Sequence, residues 1–502
     1  MIKSMDEKVD QLQIRLGKLE KIRELGTEPY PYSFEQSHTL LEVMDQADEL
    51  LENQQNITIA GRMLAVRGKG KASFCNIQAQ HKRLQVYVRL DVVGESAFEM
   101  FKLCDIGDHL GVSGSLMRTN TGELTLRASK VELLAKSIRP LPIPKVQEKD
   151  GQRIVYDEVT DKEFRYRQRY VDLILNPHVS EVFRKRALIF QTIRNYLLEE
   201  GFLEVETPTL QSVYGGANAT PFVTHHKALD QQFFLRISNE LYLKRLIAGG
   251  FDAVFEFVKD FRNEGIDRTH NPEFSALEFY QAYVDYTKIM HHTEKICERC
   301  ALAVNGKTQF EYEGNTIDMK APWPRLTMLE AINKLGSISL HSMSDSDVQL
   351  LLEQNGWELE GDYNRGLATQ LVFEKTCEDQ LVQPTFITDH PRETSPLCKQ
   401  NRQNPELIER FEAFINGWEI ANAYSELNDP VIQRGLMEEQ VERGRGGEKD
   451  THPLDEDFLR AMEYGMPPMG GVGFGIDRIV MLLTGQSTIR DVIFFPTMRT
   501  ES

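Results

Sequence analysis

The sequence predicts an α+β chain in which a small barrel precedes a larger part built around long hairpins. Three observations carry that prediction. Five short runs of alternating apolar and polar residues recur between Ile57 and Leu134, with one helix-like stretch among them. Two strand pairs follow: Val254–Arg262 with Phe274–Tyr283 around the turn signal Asn271-Pro272, and the run ERFEAFINGWEIANAYSELND around Asn416-Gly417. An amphipathic stretch at helical spacing, Val182 to Leu197, precedes these pairs.

Composition bounds the function. The 502 residues suffice for two or more domains, and 41% hydrophobic with 27% charged residues is ordinary globular content. No apolar run approaches the ~18 residues of a membrane span, so no membrane partner is expected. The N-terminus MIKSMDEKVDQLQ lacks the apolar centre of a secretory signal. Six scattered cysteines point to a reducing, cytoplasmic setting. A net charge of -18 argues against non-specific nucleic-acid binding. The charge is uneven, however: residues 57–135 hold eleven Lys/Arg against seven Asp/Glu, so this segment is +4 and the remainder -22. A locally basic module in an acidic chain suits selective contact with an acidic polymer.

Residues 1–56 read as a helical extension. Val9, Leu12, Leu16, Leu19, Ile22 and Leu25 have helical spacing, and Gly26 acts as a stop. Residues 57–138 carry the runs ITIAGRML, KASFCNIQ, LQVYVRL, HLGVSGSL and ELTLRASKVELL, with SAFEMFKLC between the third and fourth. That is the plan of an OB-fold, a barrel that binds oligonucleotides on one face, although spacing alone fits a generic small barrel equally well. Pro140, Pro142 and Pro144 mark a stiff linker over 139–175, in which the charged stretch Lys145–Lys162 has no assigned role. From residue 176 the larger domain begins. There Ser180 is placed to cap a helix with Val182, Phe183, Ile189, Phe190, Ile193 and Leu197 on one face, ending at Gly201.

Chemistry concentrates in the hairpins. Alternation puts Arg262 and Glu264 on one face, opposite Phe255, Phe257 and Phe261, and it groups Phe274, Glu278 and Tyr280 on the return strand near His270. Such a face suits a phosphorylated, planar-ringed ligand, and a solvated face is the alternative. If Asn416-Gly417 is the turn, Ile415 faces Trp418, Phe414 faces Glu419 and Glu412 faces Ala421. Glu412 and Glu419 are then diagonal neighbours, suited to a hard cation such as Mg²⁺ or else simply solvated. Asn422 and Glu426 fall on the opposite parity, so one shared pocket requires a bulge near Ala421.

Farther on, Gly471, Gly473 and Gly475 clear one face of a strand. Asp477 could cap the following helix, with Arg478 in its first turn. Ile476 at the sixth position rules out a Rossmann turn. Cys297 and Cys300, near His291 and His292, lack a second ligand pair and read as core. Arg443–Lys449 reads as a solvent loop.

FRNEG followed by HNPEF resembles motif 2 of the class II aminoacyl-tRNA synthetases, and the whole Phe255–Tyr283 string resembles their lysine-specific branch. GFLEVETPTL, with Pro208, resembles motif 1 and GGVGFGIDR resembles motif 3. GKASF with LQVYV is similar to the anticodon-binding domain, and RYRQRYVDL also fits the pattern. The resemblance implies an N-terminal OB-fold followed by a catalytic domain, residues 176–502, on an antiparallel sheet flanked by helices, acting as a homodimer.

It further implies ATP-dependent attachment of L-lysine to tRNA(Lys) through a lysyl-adenylate. Arg262 would hold the α-phosphate and Arg478 the γ-phosphate. Glu264 would face the adenine amine, His270 would reach phosphate and Phe274 would stack on the base. Glu412 and Glu419 would serve Mg²⁺ and ATP. Gly216, Glu240, Glu278, Tyr280, Asn422 and Glu426 would line the lysine site, with Glu426 on the ε-amine. Phe74 would stack on the central anticodon base, with Gln85 and Arg67 beside it. Asn239 departs from the proline or glutamine expected there. An aspartyl or asparaginyl enzyme would need cations where this chain offers Glu240, Glu278 and Glu426. A lysine-attaching protein modifier would lack the barrel, and a non-catalytic RNA-binding regulator would have no need of Arg262, Arg478, Glu412 and Glu419.

Overall fold

In the computed structural model, which describes residues 2–68, 70–143, 145–149, 152–156, 160–359, 361–445 and 453–500, the five alternating runs close into a barrel. Its strands are Asn56–Arg67, Ala72–Ala79, Lys82–Arg89, His109–Arg118 and Leu124–Ala135, and the last two exchange places in the spatial order. The helix Glu95–Leu103 joins the third strand to the fourth. Its Phe98 and Phe101 share a buried cluster with Ile57, Ile59, Val86 and Leu126. The N-terminal helix Ile2–Glu24 adds Ile22 to the same cluster. Its buried Arg15 donates to the carbonyls of Ile106 and Ser137 at 3.1 and 2.9 Å. This extension therefore belongs to the barrel unit, which spans Met1–Arg165. The side chain of Val9 and residue Pro144 lie outside the described residues.

The second unit, Tyr166–Ser502, begins inside the stretch expected as a linker. Tyr166 donates its hydroxyl to Asp491 at 2.9 Å, and buried Arg169 pairs with Asp172 at 2.8 Å and donates to the carbonyls of Arg490 and Phe494. Just before it, Lys145–Lys149 and Gln152–Tyr156 pair as a hairpin within the stretch to which the sequence assigned no role. The long helix Pro177–Glu199 starts at its proline, whose fixed φ and missing N–H suit a first turn. Ser180 is consequently not the cap; its hydroxyl donates to the Pro177 carbonyl at 2.9 Å. The helix Pro430–Arg445 runs through Arg443–Arg445, part of the expected loop, and the rest of that run lies outside the described residues.

Eight strands form one sheet in the order Arg325–Thr327, Thr385–Pro391, Leu407–Ile415, Trp418–Ser425, Met469–Gly475, Glu273–Ala282, Ala253–Phe261 and Leu203–Glu204. The interior pairs are antiparallel, and only the outermost pair at each edge is parallel. Alternation gives the sheet one apolar face. Phe255, Leu277, Phe279, Phe411, Ala423, Val472 and Phe474 pack there with residues of the helices Pro177–Glu199, Tyr286–Asn305 and Ile476–Thr484. Cys297 and Cys300 are buried in that core, and the described residues contain no cluster of metal-ligating side chains. Each buried aromatic contributes about 1.5–3 kcal/mol, so this layer fixes which face stays open.

The open face depends on two local features. Asn416 and Gly417 have φ of 53° and 74°, the left-handed pair of a tight hairpin turn. Beyond the turn Phe414 faces Glu419, but Ala413 faces Ala421, so Ile420 is an extra residue. This is the bulge that the parity conflict required, and it moves Asn422, rather than Ala421, opposite Glu412. In the neighbouring strand Gly471 and Gly473 lie between the hairpins, paired with Tyr424 and Tyr280 and with Asn422 and Glu278 respectively. A Cβ at Gly471 would stand 2.2 Å from the Tyr280 ring and 2.5 Å from Glu426 Oε1, whereas at Gly473 the nearest atom is 3.8 Å away. Gly471→Ala is therefore expected to destabilise the protein by about 1–3 kcal/mol, and Gly473→Ala by much less. Thermal unfolding of the two variants checks the contrast; equal melting temperatures would contradict it.

Candidate active site

Above the glycines lies a cavity of about 430 Å³ whose lining includes Gly216, Glu240, Arg262, Glu264, His270, Phe274, Glu278, Tyr280, Glu419, Asn422, Glu426 and Arg478. The two arginines thus open into one space. Arg262 stands just past the end of its strand at Phe261, not within it as expected. Its N–H continues the ladder to the Pro272 carbonyl at 2.9 Å, and the Glu264 N–H then turns back onto the Arg262 carbonyl. Glu264 is therefore an exposed loop residue rather than a strand neighbour on the same pleat. The Arg262 guanidinium lies 5.1 Å from the centre of the Phe274 ring, and its Nε has no hydrogen-bond partner. A guanidinium above an aromatic ring is drawn to its face, and its fork of N–H groups suits an anion.

Arg478 sits in the first turn of the helix Ile476–Thr484 and donates to the Glu419 carbonyl. It also lies 3.2 Å from His270 Nε2. Because a guanidinium only donates, Nε2 accepts, and the ring proton is on Nδ1, 2.8 Å from Asp267. Asp477 does not cap the helix. Its carboxylate takes Arg186 at 2.5 Å and the Ser275 N–H at 2.7 Å, and so ties the helix to the return strand.

The opposite end of the cavity is acidic and dry. Glu240, Glu278 and Glu426 are 5, 7 and 1% exposed. Glu278 accepts from Ser238 Oγ and from the Tyr280 hydroxyl, both at 3.0 Å. Burial, then the charges of Asp260 and Glu240, push the Glu278 carboxyl up to about 8. Burial likewise raises Glu426 to about 8, against the opposing pull of Lys244. Lys244, wholly buried, stands 2.5 Å from both Glu240 and Glu426. The Glu426 oxygens nonetheless lack hydrogen-bond geometry to any partner. Asn239 opens the helix Glu240–Ala248 and donates to Glu256 at 2.7 Å, so the departure noted there has a local structural role. Gly216, at φ 88°, approaches Ser238 and Glu240 too closely for a Cβ, with 2.9 Å to Ser238 Oγ.

Glu412 behaves differently from the other selected residues. Among the described residues the cavity lining takes in Glu419 but not Glu412, which is paired with the buried Arg410 two positions back on its strand. Desolvation and then the Glu412 charge raise the Glu419 carboxyl. Since the Glu419 side chain keeps 39% of its surface exposed, the repulsion is the part that a bound cation would relieve. Glu419 is therefore an oxygen donor suited to a hard divalent ion, whereas Glu412 would have to leave Arg410 to join it.

Sequence reasoning missed Lys244 and Arg410. Both signals were present: Lys244 is four residues after Glu240 on a helix, and Arg410 shares the strand face of Glu412.

On the barrel, Phe74 is half-buried, lies outside the core cluster and stacks on Tyr87 at 4.5 Å, with the Arg67 guanidinium 5.7 Å from its ring centre. Tyr87 is the strand partner of Phe74, while Gln85 pairs with Asn76. Gln85 is buried, donates to Glu123 at 2.8 Å and accepts from Thr125 at 2.9 Å. Glu123 and Tyr87 are neighbours of the expected set that spacing alone did not single out.

Two family profiles match the chain: "tRNA synthetases class II (D, K and N)" over residues 161–499, and "OB-fold nucleic acid binding domain" over residues 57–134. Among similar proteins are lysine–tRNA ligases of Porphyromonas gingivalis, 47% identical over 98% of this chain and 86% of the relative, and of Pelotomaculum thermopropionicum, 48% identical over 97% and 94%. That of Moorella thermoacetica is 48% identical over 98% of both chains. With barrel, sheet and cavity in this order, and likeness running almost end to end, the chain belongs to the class II tRNA synthetases.

Proposed function

We propose that the chain attaches L-lysine to tRNA(Lys) in two ATP-dependent steps. In the first, a lysine carboxylate oxygen attacks the α-phosphorus of ATP, and the bond to the β-phosphate oxygen breaks to release pyrophosphate. In the second, a hydroxyl of the terminal tRNA ribose attacks the lysyl carbonyl and AMP leaves. The observation that carries the reading is the pairing, in one cavity, of a dry acidic end with two arginines. A buried carboxylate gains most from an ammonium group, and an uncharged competitor would leave it unpaired at a cost of several kcal/mol.

Neither step needs a protein nucleophile, so orientation and charge supply the acceleration. Arg262 would hold the α-phosphate, with Phe274 beside its guanidinium and stacking on adenine, and Glu264 would meet the exocyclic amine. Arg478 would take the γ-phosphate. His270 offers Nε2 to Arg478, so a phosphate contact there requires that nitrogen to gain a proton and Arg478 to turn away. Glu412 and Glu419 would hold Mg²⁺, which when bound neutralises phosphate charge. Glu426, Tyr280 and Glu278 would receive the ε-amine, while Glu240, Asn422 and Gly216 shape the rest of the lysine site. On the barrel, Phe74 would stack on an anticodon base, worth about 1–3 kcal/mol, beside Arg67 and Gln85.

Exposed Leu188 and Leu198 on the long helix, and Leu203 and Leu210 after it, support a homodimer. No helix among the described residues is long and apolar enough to cross a membrane. The likeness to lysine–tRNA ligases supports a place in the cytoplasm.

ATP–pyrophosphate exchange across the twenty amino acids tests the reading: lysine alone should support it, and exchange with aspartate or asparagine instead would refute it. Arg262→Ala should lower exchange by about 10²–10³-fold or more with an unchanged melting temperature, as loss of one charge-stabilising donor does. Undiminished exchange would remove Arg262 from its role. Because Glu278 and Glu426 are raised to about 8 and must be ionised to receive an ammonium, the KM for lysine should climb as pH falls through that value. A KM flat across that range would contradict the assignment.

A further inference from the structure

Lys244 is a cation with no access to solvent, placed among the carboxylates that the proposed function assigns to substrate. It lies one helical turn after Glu240 on the helix Glu240–Ala248, so the two side chains share a face and meet without any loop adjusting. From there it also reaches Glu426, just past the end of the strand Trp418–Ser425. One ammonium thus ties a helix to a strand end through two carboxylates. Glu426 Oε2 is the oxygen that Lys244 contacts, while Oε1 has no partner and lies beside Gly471 and Tyr280, both in the cavity lining.

We propose that Lys244 is a positioning residue for amino-acid selection: its single ammonium, shared by Glu240 and Glu426, pins both carboxylates and turns Glu426 Oε1 toward the amine of the incoming amino acid. This deepens the functional reading above and rests on it. Three buried carboxylates without a counter-ion would repel one another and take up protons, and the cavity would lose its preference for a cation. With Lys244 in place beside Glu240 and Glu426, the Glu426 carboxyl is drawn toward its ionised form, so less has to be given up when the substrate's ammonium arrives. The other titratable groups facing this pair do not compete for that role. Tyr280, Tyr424 and Cys398 are all pushed up by burial and stay neutral. Arg410 is committed to Glu412. Glu278 takes its hydrogen bonds from Ser238 and Tyr280 and not from Lys244.

The experiment compares wild type with Lys244→Met in lysine-dependent ATP–pyrophosphate exchange, measuring both KM values across pH. We expect KM for lysine to rise at least about tenfold, KM for ATP to stay within about twofold, and the acidic limb of the lysine profile to move to higher pH. A purely structural lysine would change neither the split between substrates nor the profile. Should Lys244→Met fail to fold, the double variant E240Q/K244M removes one charge of each sign and is compared with E240Q alone. The same rise in KM for lysine over E240Q supports the proposal. Equal KM values for lysine in a folded variant and its reference overturn it. Failure of the wild type to use lysine at all would instead overturn the functional reading, so the two failures are distinguishable.

Discussion

Negative charge held out of water is the constraint from which the rest of the site follows. Glu240, Glu278 and Glu426 converge on one dry end of the cavity, and among the described residues one cation, Lys244, contacts two of them. The burial that raises Glu278 and Glu426 is also what makes a cationic guest favourable there, because an ammonium group recovers the electrostatic free energy that burial withholds. The remaining architecture positions that acidic end opposite two arginines that can receive anions.

The sheet does the positioning by subtraction as much as by placement. Its apolar face is sealed by three helices, so every functional side chain must leave from the other side. There the glycine strand removes bulk at the centre. Gly471 makes room for Tyr280 and Glu426 to approach each other, and Gly473 leaves a bare floor. The extra residue Ile420 brings Glu419, Asn422 and Tyr424 to one cavity although simple alternation would divide them. A one-residue bulge therefore brings Glu419 into the same cavity as the acidic end.

Features that depend on local spacing were legible in the sequence, and features that depend on distant partners were not. The barrel strands, the Asn416-Gly417 turn, the period of the glycines and the need for a bulge near Ala421 all follow from residues within a few positions of each other. Asp477 was read as a helix cap because its real partners, Arg186 and Ser275, come from elsewhere in the chain. Arg262 was assigned to a strand that ends one residue earlier, since nothing in FRNEG marks where pairing stops. Lys244 escaped notice because its meaning depends on Glu426, which only the folded sheet brings near. Glu412 was expected in the cavity, but the neighbouring Arg410 holds it behind the lining.

The central claim is that buried carboxylates, held partly protonated by their surroundings, select an amino acid by its side-chain ammonium. Calorimetric titration of the protein with L-lysine and with norleucine, near neutral pH in two buffers of different ionisation enthalpy, tests it most directly. Lysine should bind with net proton release, as carboxyl groups raised to about 8 give up protons to meet the ammonium, and norleucine should bind far more weakly. Lysine binding with no proton exchange, or norleucine binding as tightly as lysine, would contradict the account.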